Sequence, residues 1–200
     1  MCNTGDAAGM QAEETLYLDA PGPQNTDIVA RAVRSYVGTH RTRYVVVAST
    51  TGETALKFAA ELENVTTLIV VTHHTGFHHE GVQSFNVATR ELLEQRGVRV
   101  ITQSHALSGV ERSISRRLGG ASRVEAIAEA LRSLFGRGLK VCVEIAVMAA
   151  DAGAIPLEEV IAVGGTGRGA DTAIVIRPAH MNNFFDAHVR RIIIAPLGQP

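Results

Sequence analysis

The sequence carries almost no net charge, few cysteines and hardly any lysine, and each shortage removes a class of function. Lysine and arginine together number 19 against 20 aspartates and glutamates, a formal charge of -1. A chain so balanced lacks the cationic footprint that holds nucleic acid or anionic membrane, so neither partner is expected. Cys2 and Cys142 are the only cysteines, one in a polar leader and one inside an apolar run. They supply no disulfide framework and no paired-cysteine metal knuckle, and a reducing cytoplasm is the expected compartment. Lys57 and Lys140 are the only lysines, so arginine carries the positive charge. That suits recognition of phosphate or carboxylate, although the bias assigns no function by itself. No apolar run reaches the roughly 20 residues of a membrane span, and the opening 14 residues lack the basic and apolar regions of a secretory signal.

What is present is apolar material in short pieces. With 46% hydrophobic residues in 200, the chain can bury one substantial core. Residues 1–14 read as a flexible leader and 15–200 as a single α/β ligand-binding domain. Short β-branched runs alternate with amphipathic stretches, the pattern of a mostly parallel, doubly wound sheet wrapped by helices. Leu16 to Leu18, Tyr44 to Ala48, Thr67 to Thr72, Val98 to Ile101, Leu139 to Ile145 and Val160 to Val163 are predicted strands. Ala173 to Ile176 follows its predecessor after only a glycine-rich loop, too short for a parallel crossover, so an antiparallel hairpin is expected near the C-terminus. Ile192 to Ala195 reads as a further edge strand. Helices are predicted from about Asp27 to His40, capped by Asn25 or Thr26, over Thr54 to Leu62 and near Asn86 to Arg96. Another starts at the capping box of Ser122 and Glu125, with Val124, Ile127, Ala128, Leu131 and Phe135 at helical spacing.

Two turns are candidate binding sites. The first, Ser49, Thr50, Thr51, Gly52, Glu53 and Thr54, joins a strand to a helix and offers hydroxyls, amides and a positive helix end to an anion. The same residues also satisfy a plain cap, since Thr50 and Glu53 have capping-box spacing, and Glu53 places a negative charge in the turn. The second runs through Gly164, Gly165, Thr166, Gly167, Arg168 and Gly169. It fits G-x-G-x-x-A but leads into a strand, so the dinucleotide-binding reading fails. It is either a flexible hairpin loop or a loop whose amides and Arg168 close over an anionic ligand.

The order of these two turns carries a resemblance. The run "YVVVASTTGETALKFAAELENVTTLIVVT" resembles the C-terminal α/β domain of pyruvate kinase, and "VIAVGGTGRGADTAIVIRP" resembles that domain's later glycine-rich loop. In those enzymes the two loops hold a phosphorylated effector. By that resemblance Ser49, Thr50, Thr51, Gly52 and Thr54 would take a phosphate, and Gly165, Thr166, Gly167, Arg168 and Gly169 would cover the ligand. The barrel domain that carries pyruvate kinase chemistry has no counterpart, so that activity is not expected. The whole chain is similar to a family of stand-alone proteins of this kind, through "QSHALSGVERSISRRLGG", "VCVEIAVMAADAGAIP" and "RPAHMNNFFD". That likeness implies flavin mononucleotide (FMN) as ligand, with oxidoreduction as one consequence and a non-catalytic sugar-phosphate sensor as the alternative. The isoalloxazine would need amide and hydroxyl donors from loops at the same sheet edge: Thr72, His74, Thr75 and Gly76 after one strand, Gln103 and Ser104 after the next.

Other chemistry has weaker support. His73, His74, His78 and His79 could hold a transition metal, yet no carboxylate or thiol completes a familiar spacing. Ser108, His105 and Asp151 could suggest a hydrolase, but no nucleophile elbow exists. Glu144, read at the end of an apolar strand, is either a base or the partner of an arginine. In "RPAHMNNFFD", Phe184 and Phe185 would dock the tail on the core or on a second subunit of a homo-oligomer, with His180, Asn182 and Asn183 as alternative ligand contacts.

Overall fold

A computed structural model of the protein describes residues 13–197. The expected leader falls almost wholly outside that range. The strands β1 (Leu16–Leu18), β2 (Tyr44–Ala48), β3 (Thr67–Thr72), β4 (Arg99–Thr102), β5 (Val160–Gly164), β6 (Thr172–Arg177) and β7 (His188–Pro196) form one sheet. Its order is β1-β7-β6-β5-β2-β3-β4. The pairs β1/β7, β5/β2, β2/β3 and β3/β4 are parallel, and β6 runs against both of its neighbours. The expected mostly parallel sheet and its antiparallel hairpin, β5 to β6, are both present.

Alternation along the strands builds two cores. Val45 and Val47 of β2, with Leu68 and Val70 of β3, face a layer made by α1 (Thr26–His40), α2 (Glu53–Glu61) and α3 (Val87–Gln95). Phe58 is the largest fully buried side chain there. Val46, Ile69, Ala162 and Ile174 face the opposite layer, dominated by α6 (Arg137–Asp151). The helix α5 (Arg123–Phe135) packs behind α6, and α4 (Val110–Leu118) lies beside α5. Both faces of the central strands are covered, which is why β2, β3, β5 and β6 are apolar along most of their length rather than alternating.

Three expectations need correction. Leu139 to Ile145 is not a strand but the first half of α6, and twelve of that helix's fifteen residues are buried. A helix enclosed on all sides shows no polar stripe, so its β-branched stretch reads like a core strand until the packing is known. Ile192 to Ala195 is not an edge: it belongs to β7, which lies between β6 and the true edge strand β1. The helical face assigned to α5 is only partly covered, with Ala128 buried and Phe135 half exposed. Its capping box is formed as expected, Ser122 Oγ accepting from the Glu125 amide at 3.2 Å.

α6 approaches β5 and β6 closely enough to require glycine. A Cβ on Gly138 would stand 2.0 Å from Thr172 Oγ1, and one on Gly164 would stand 2.6 Å from the Gly138 carbonyl oxygen. These contacts involve backbone and a hydrogen-bonded hydroxyl, so they cannot relax cheaply. Gly138→Ala is therefore expected to destabilise the fold by about 1–3 kcal/mol, the usual cost of overpacking. Urea denaturation checks this, and an unchanged midpoint would mean that the helix can shift outward freely.

Candidate functional site

Because β6 alone is reversed, the loops leaving β2, β3, β4 and β5 all emerge at one edge of the sheet. β2 and β5 are neighbours, so the Ser49–Thr54 turn and the Gly165–Gly169 loop meet across a cavity of about 460 Å³. Ser49, Thr50, Thr51, Glu53 and Thr54 line one wall, and Gly165, Gly167, Arg168 and Gly169 another. His73, His78, His79 and Ser84, from the long loop after β3, close the third, and Val141 of α6 forms part of the floor. That volume lies in the range of small-molecule sites, roughly 300–1,000 Å³.

The Ser49–Thr54 turn is not a capping box. Gly52 occupies the N-cap of α2 with φ 107° and no side-chain cap, while the buried Ser49 Oγ accepts from the Ala55 amide at 3.3 Å. The glycine is required for packing as well as conformation. A Cβ there would stand 2.5 Å from Thr89 Cγ2 and 3.3 Å from the Phe85 ring. Gly52 therefore serves the α2–α3 contact and does not line the cavity.

The glycine-rich loop is anchored rather than loose. Asp171, fully buried, accepts from the Gly22 amide at 3.1 Å, the Thr166 amide at 2.9 Å and the Thr172 hydroxyl at 2.8 Å. The Ala170 amide donates to Thr26 Oγ1 at 3.1 Å, which stitches the loop to the start of α1.

Several residues expected at the site stand elsewhere. Thr72 is buried and spends its hydroxyl on Thr102 Oγ1 and the His73 carbonyl. Gly164 lies in β5, packed against Gly138. Thr166 lines a different cavity, beside β1 and β7. His74 and Gly76 border a separate cleft with Phe77, Arg112, Arg116 and Arg117, and the Thr75 carbonyl bonds to His74 Nδ1. Gln103 and Ser104 line none of these cavities. The phosphate-turn and loop residues other than Gly52, Gly164 and Thr166 thus line one cavity, whereas the expected residues at or beyond the ends of β3 and β4 do not line it.

What the sequence did not reveal is a second chamber next to the first. His73, Val141, Gly165 and Gly167 belong to both walls. Beyond them lies a cavity of about 480 Å³ edged by Phe77, His105, Arg112, Arg132, Arg137 and the Lys140–Glu144 pair. Lys140 Nζ donates to Glu144 Oε2 at 2.5 Å, and Glu144 Oε1 accepts from the Leu107 amide at 2.9 Å. Glu144 is thus paired with one of the two lysines instead of an arginine, and it sits in α6. Spacing of i to i+4 marks such a pair only once the segment is known to be helical. Burial lowers the Lys140 pKa, and the neighbouring Glu144 opposes that effect.

The histidines form an aromatic cluster. The His73 ring centroid lies 4.0 Å from Phe77, 5.4 Å from His78 and 5.3 Å from His105. Among the described residues no three histidine, cysteine, aspartate or glutamate side chains are arranged to hold a metal ion. The His73 Nδ1 atom is buried without a partner in the protein. Burial first, then the neighbouring His105 and His78, brings the His73 pKa down to about 4. Burial also brings His105 to about 4, against the pull of Glu144 and with help from His74, Lys140 and Arg112.

The hydrolase combination is taken apart: Asp151 ends α6 and binds His180 Nδ1 at 3.0 Å, away from His105. The His180 to Phe185 segment follows β6 at the opposite edge of the sheet from the cavities, with Phe184 packed on the α6 core and Phe185 82% exposed. Ligand contact by this segment is therefore ruled out for the site described here. No protein-family model matches the chain.

The two depressed histidines make stability depend on pH. An unfolded histidine titrates near 6.5. Between about pH 6.5 and pH 4 the unfolded chain binds protons on both imidazoles while the folded chain does not, so stability falls as pH drops through that window. It is fully present above pH 6.5. Urea midpoints across this range should decline less steeply in His105→Asn than in the parent, and identical slopes would count against the assignment.

Proposed function

We propose that the chain binds a phosphorylated small molecule, most favourably FMN, in the cavity between the Ser49–Thr54 turn and the Gly165–Gly169 loop. The observation that carries this reading is the meeting of those two segments, 110 and more residues apart in sequence, on one cavity of about 460 Å³. On this reading the chain is a pyruvate kinase C-terminal-domain-like unit. The donor set suits a phosphate: four hydroxyls on Ser49, Thr50, Thr51 and Thr54, the start of α2, whose Ala55 amide alone of the first turn is met by Ser49 Oγ, and the Arg168 guanidinium. Glu53, on the same wall, opposes it.

A flavin held there would supply hydride or electron transfer. Ser49, Thr50, Thr51 and Thr54 would hold its phosphate, Arg168 would close over it, and the imidazole of His73 would border the ring. The neutral state of His73 lets it accept or donate one hydrogen bond without adding charge.

A second reading, a sugar phosphate bound by a non-catalytic sensor, is favoured by one feature of the wall. The lining contains five hydroxyl side chains and no Phe, Tyr or Trp. Such a surface suits a polyol as well as a flavin ribityl chain.

Fluorescence titration with FMN, and calorimetric titration with fructose 1,6-bisphosphate, separate the two. Arg168→Ala should weaken the bound ligand by about tenfold or more, as loss of a charge-assisted hydrogen bond does. Glu53→Gln should tighten it, because a like charge beside the phosphate is removed. Affinity untouched by Arg168→Ala, or weakened by Glu53→Gln, would move the phosphate elsewhere.

A further inference from the structure

The second chamber has an electrostatic character that the first lacks. α4, α5 and α6 each contribute a guanidinium to it, Arg112, Arg132 and Arg137 respectively. Its two carboxylates are already engaged. Glu129 accepts from Arg132 at 3.1 Å, and Glu144 is held between Lys140 and the Leu107 amide. Arg112 and Arg137 form no hydrogen bond or salt bridge among the described residues, although the Glu125 pKa, lowered first by the Ser115 and Ser122 hydrogen bonds, is lowered further by Arg112 nearby. Arg112 rests over the Phe77 ring, 5.8 Å from its centroid.

Both guanidinium groups border one cavity whose two carboxylates are bonded to other partners, and an arginine presents a planar fork of donors matched to an oxyanion. The aromatic support beneath Arg112 holds that fork without consuming its donors. The cavity of about 480 Å³ is open to solvent, with the exposed Arg137 on its border, yet a buried ion pair and two neutral imidazoles border it as well.

We propose that this chamber binds the oxyanion of a small second ligand, a carboxylate or a phosphate, clamped between Arg112 and Arg137. His73, Val141, Gly165 and Gly167 lie on the wall common to both chambers. The protein is then a two-ligand site, with the second molecule's anionic end in the arginine chamber and its remainder directed at whatever the first chamber holds. The assignment stands on the arginine chamber's own residues, so it does not need the first ligand to be a flavin.

The test is calorimetric titration of the purified protein with oxalate and, separately, with inorganic phosphate, in the parent, Arg112→Gln and Arg137→Gln. Oxalate and phosphate represent the two sources of the same oxyanion chemistry. The expected result is a saturable isotherm for at least one of them, weakened about tenfold or more in each variant, as removal of a charged hydrogen-bond donor does. Whichever probe binds names the group. FMN or sugar-phosphate affinity should be unchanged in both variants, while Arg168→Ala, which alters only the first chamber, should leave the probe isotherm intact. Absence of binding by both probes overturns the proposal, as do isotherms unaffected by the variants. A saturating first ligand that abolishes probe binding would also overturn it, since a single molecule would then fill both chambers. Thermal melting shows whether each variant folds, and Arg112→Lys, which keeps charge but loses the fork, provides a milder substitute that should still weaken the probe.

Discussion

The buried carboxyl of Asp171 is the constraint on which the binding edge depends. Its three hydrogen bonds join the turn after β1, the glycine-rich loop and the first residue of β6. A polar group so enclosed is tolerable only when its oxygens are satisfied, so the three segments are held in one arrangement by the cost of leaving any of them unbonded. Gly169 and Gly165 follow from this. A Cβ on Gly169 would stand 2.5 Å from Pro23 Cα, and one on Gly165 would stand 2.4 Å from the Gly169 carbonyl oxygen. The loop is glycine-rich because it is pressed against the chain on both sides, and the exposed Gly167–Arg168 tip is what remains free to meet a ligand.

The same edge is shaped from the other side by α6. Gly138 and Gly164 let its first turn lie directly on β5 and β6, which brings Val141 and Lys140 up to the loops. A sheet of this order would present a row of loop amides and hydroxyls in any case. The close seating of α6 adds a buried cation, a buried carboxylate and the flanking arginines, dividing the edge into a hydroxyl-rich chamber and an arginine-rich one.

Much of this arrangement was legible in the residues. The β-branched runs of β2, β3, β5 and β6 announced themselves through length and apolarity, and the short glycine loop fixed the hairpin. Loops after parallel strands share one edge, but the pairing of Ser49–Thr54 with Gly165–Gly169 was expected from the resemblance, since strand polarity alone does not make β2 and β5 neighbours. α6 was not legible, because the β-branched "LKVCVEI" has strand propensity and its two polar residues, Lys140 and Glu144, are buried as a pair, so only three-dimensional packing decides for the helix. With α6 went the Lys140–Glu144 pair and hence the second chamber. Long-range register hid the rest: nothing local in β7 says that β1, from the other end of the chain, will pair beside it. The Gln103 and Ser104 expectation failed for a related reason. β4 is the far edge strand, separated from β5 by β2 and β3, and of the loop beyond it His105 and Leu107, not Gln103 and Ser104, reach back to His73 and Glu144.

The Lys140–Glu144 pair sharpens the question of what the second chamber is for. A buried ion pair is weak evidence of stabilisation, since a well-packed apolar pair of similar volume is often as good or better. Its position shows a different use. Glu144 reaches across to the Leu107 amide and so fixes the loop between β4 and α4, the loop that carries His105 and leads directly to Arg112. Lys140 in turn holds Glu144 in place. The pair therefore acts as a brace between the rigid core helix and the segment bearing the aromatic cluster and one of the two free guanidinium groups. A brace made of apolar side chains could pack there, but it could not accept the Leu107 hydrogen bond, and the loop would lose its registration against α6. Orientation of the second chamber is thus the gain that offsets burying two charges.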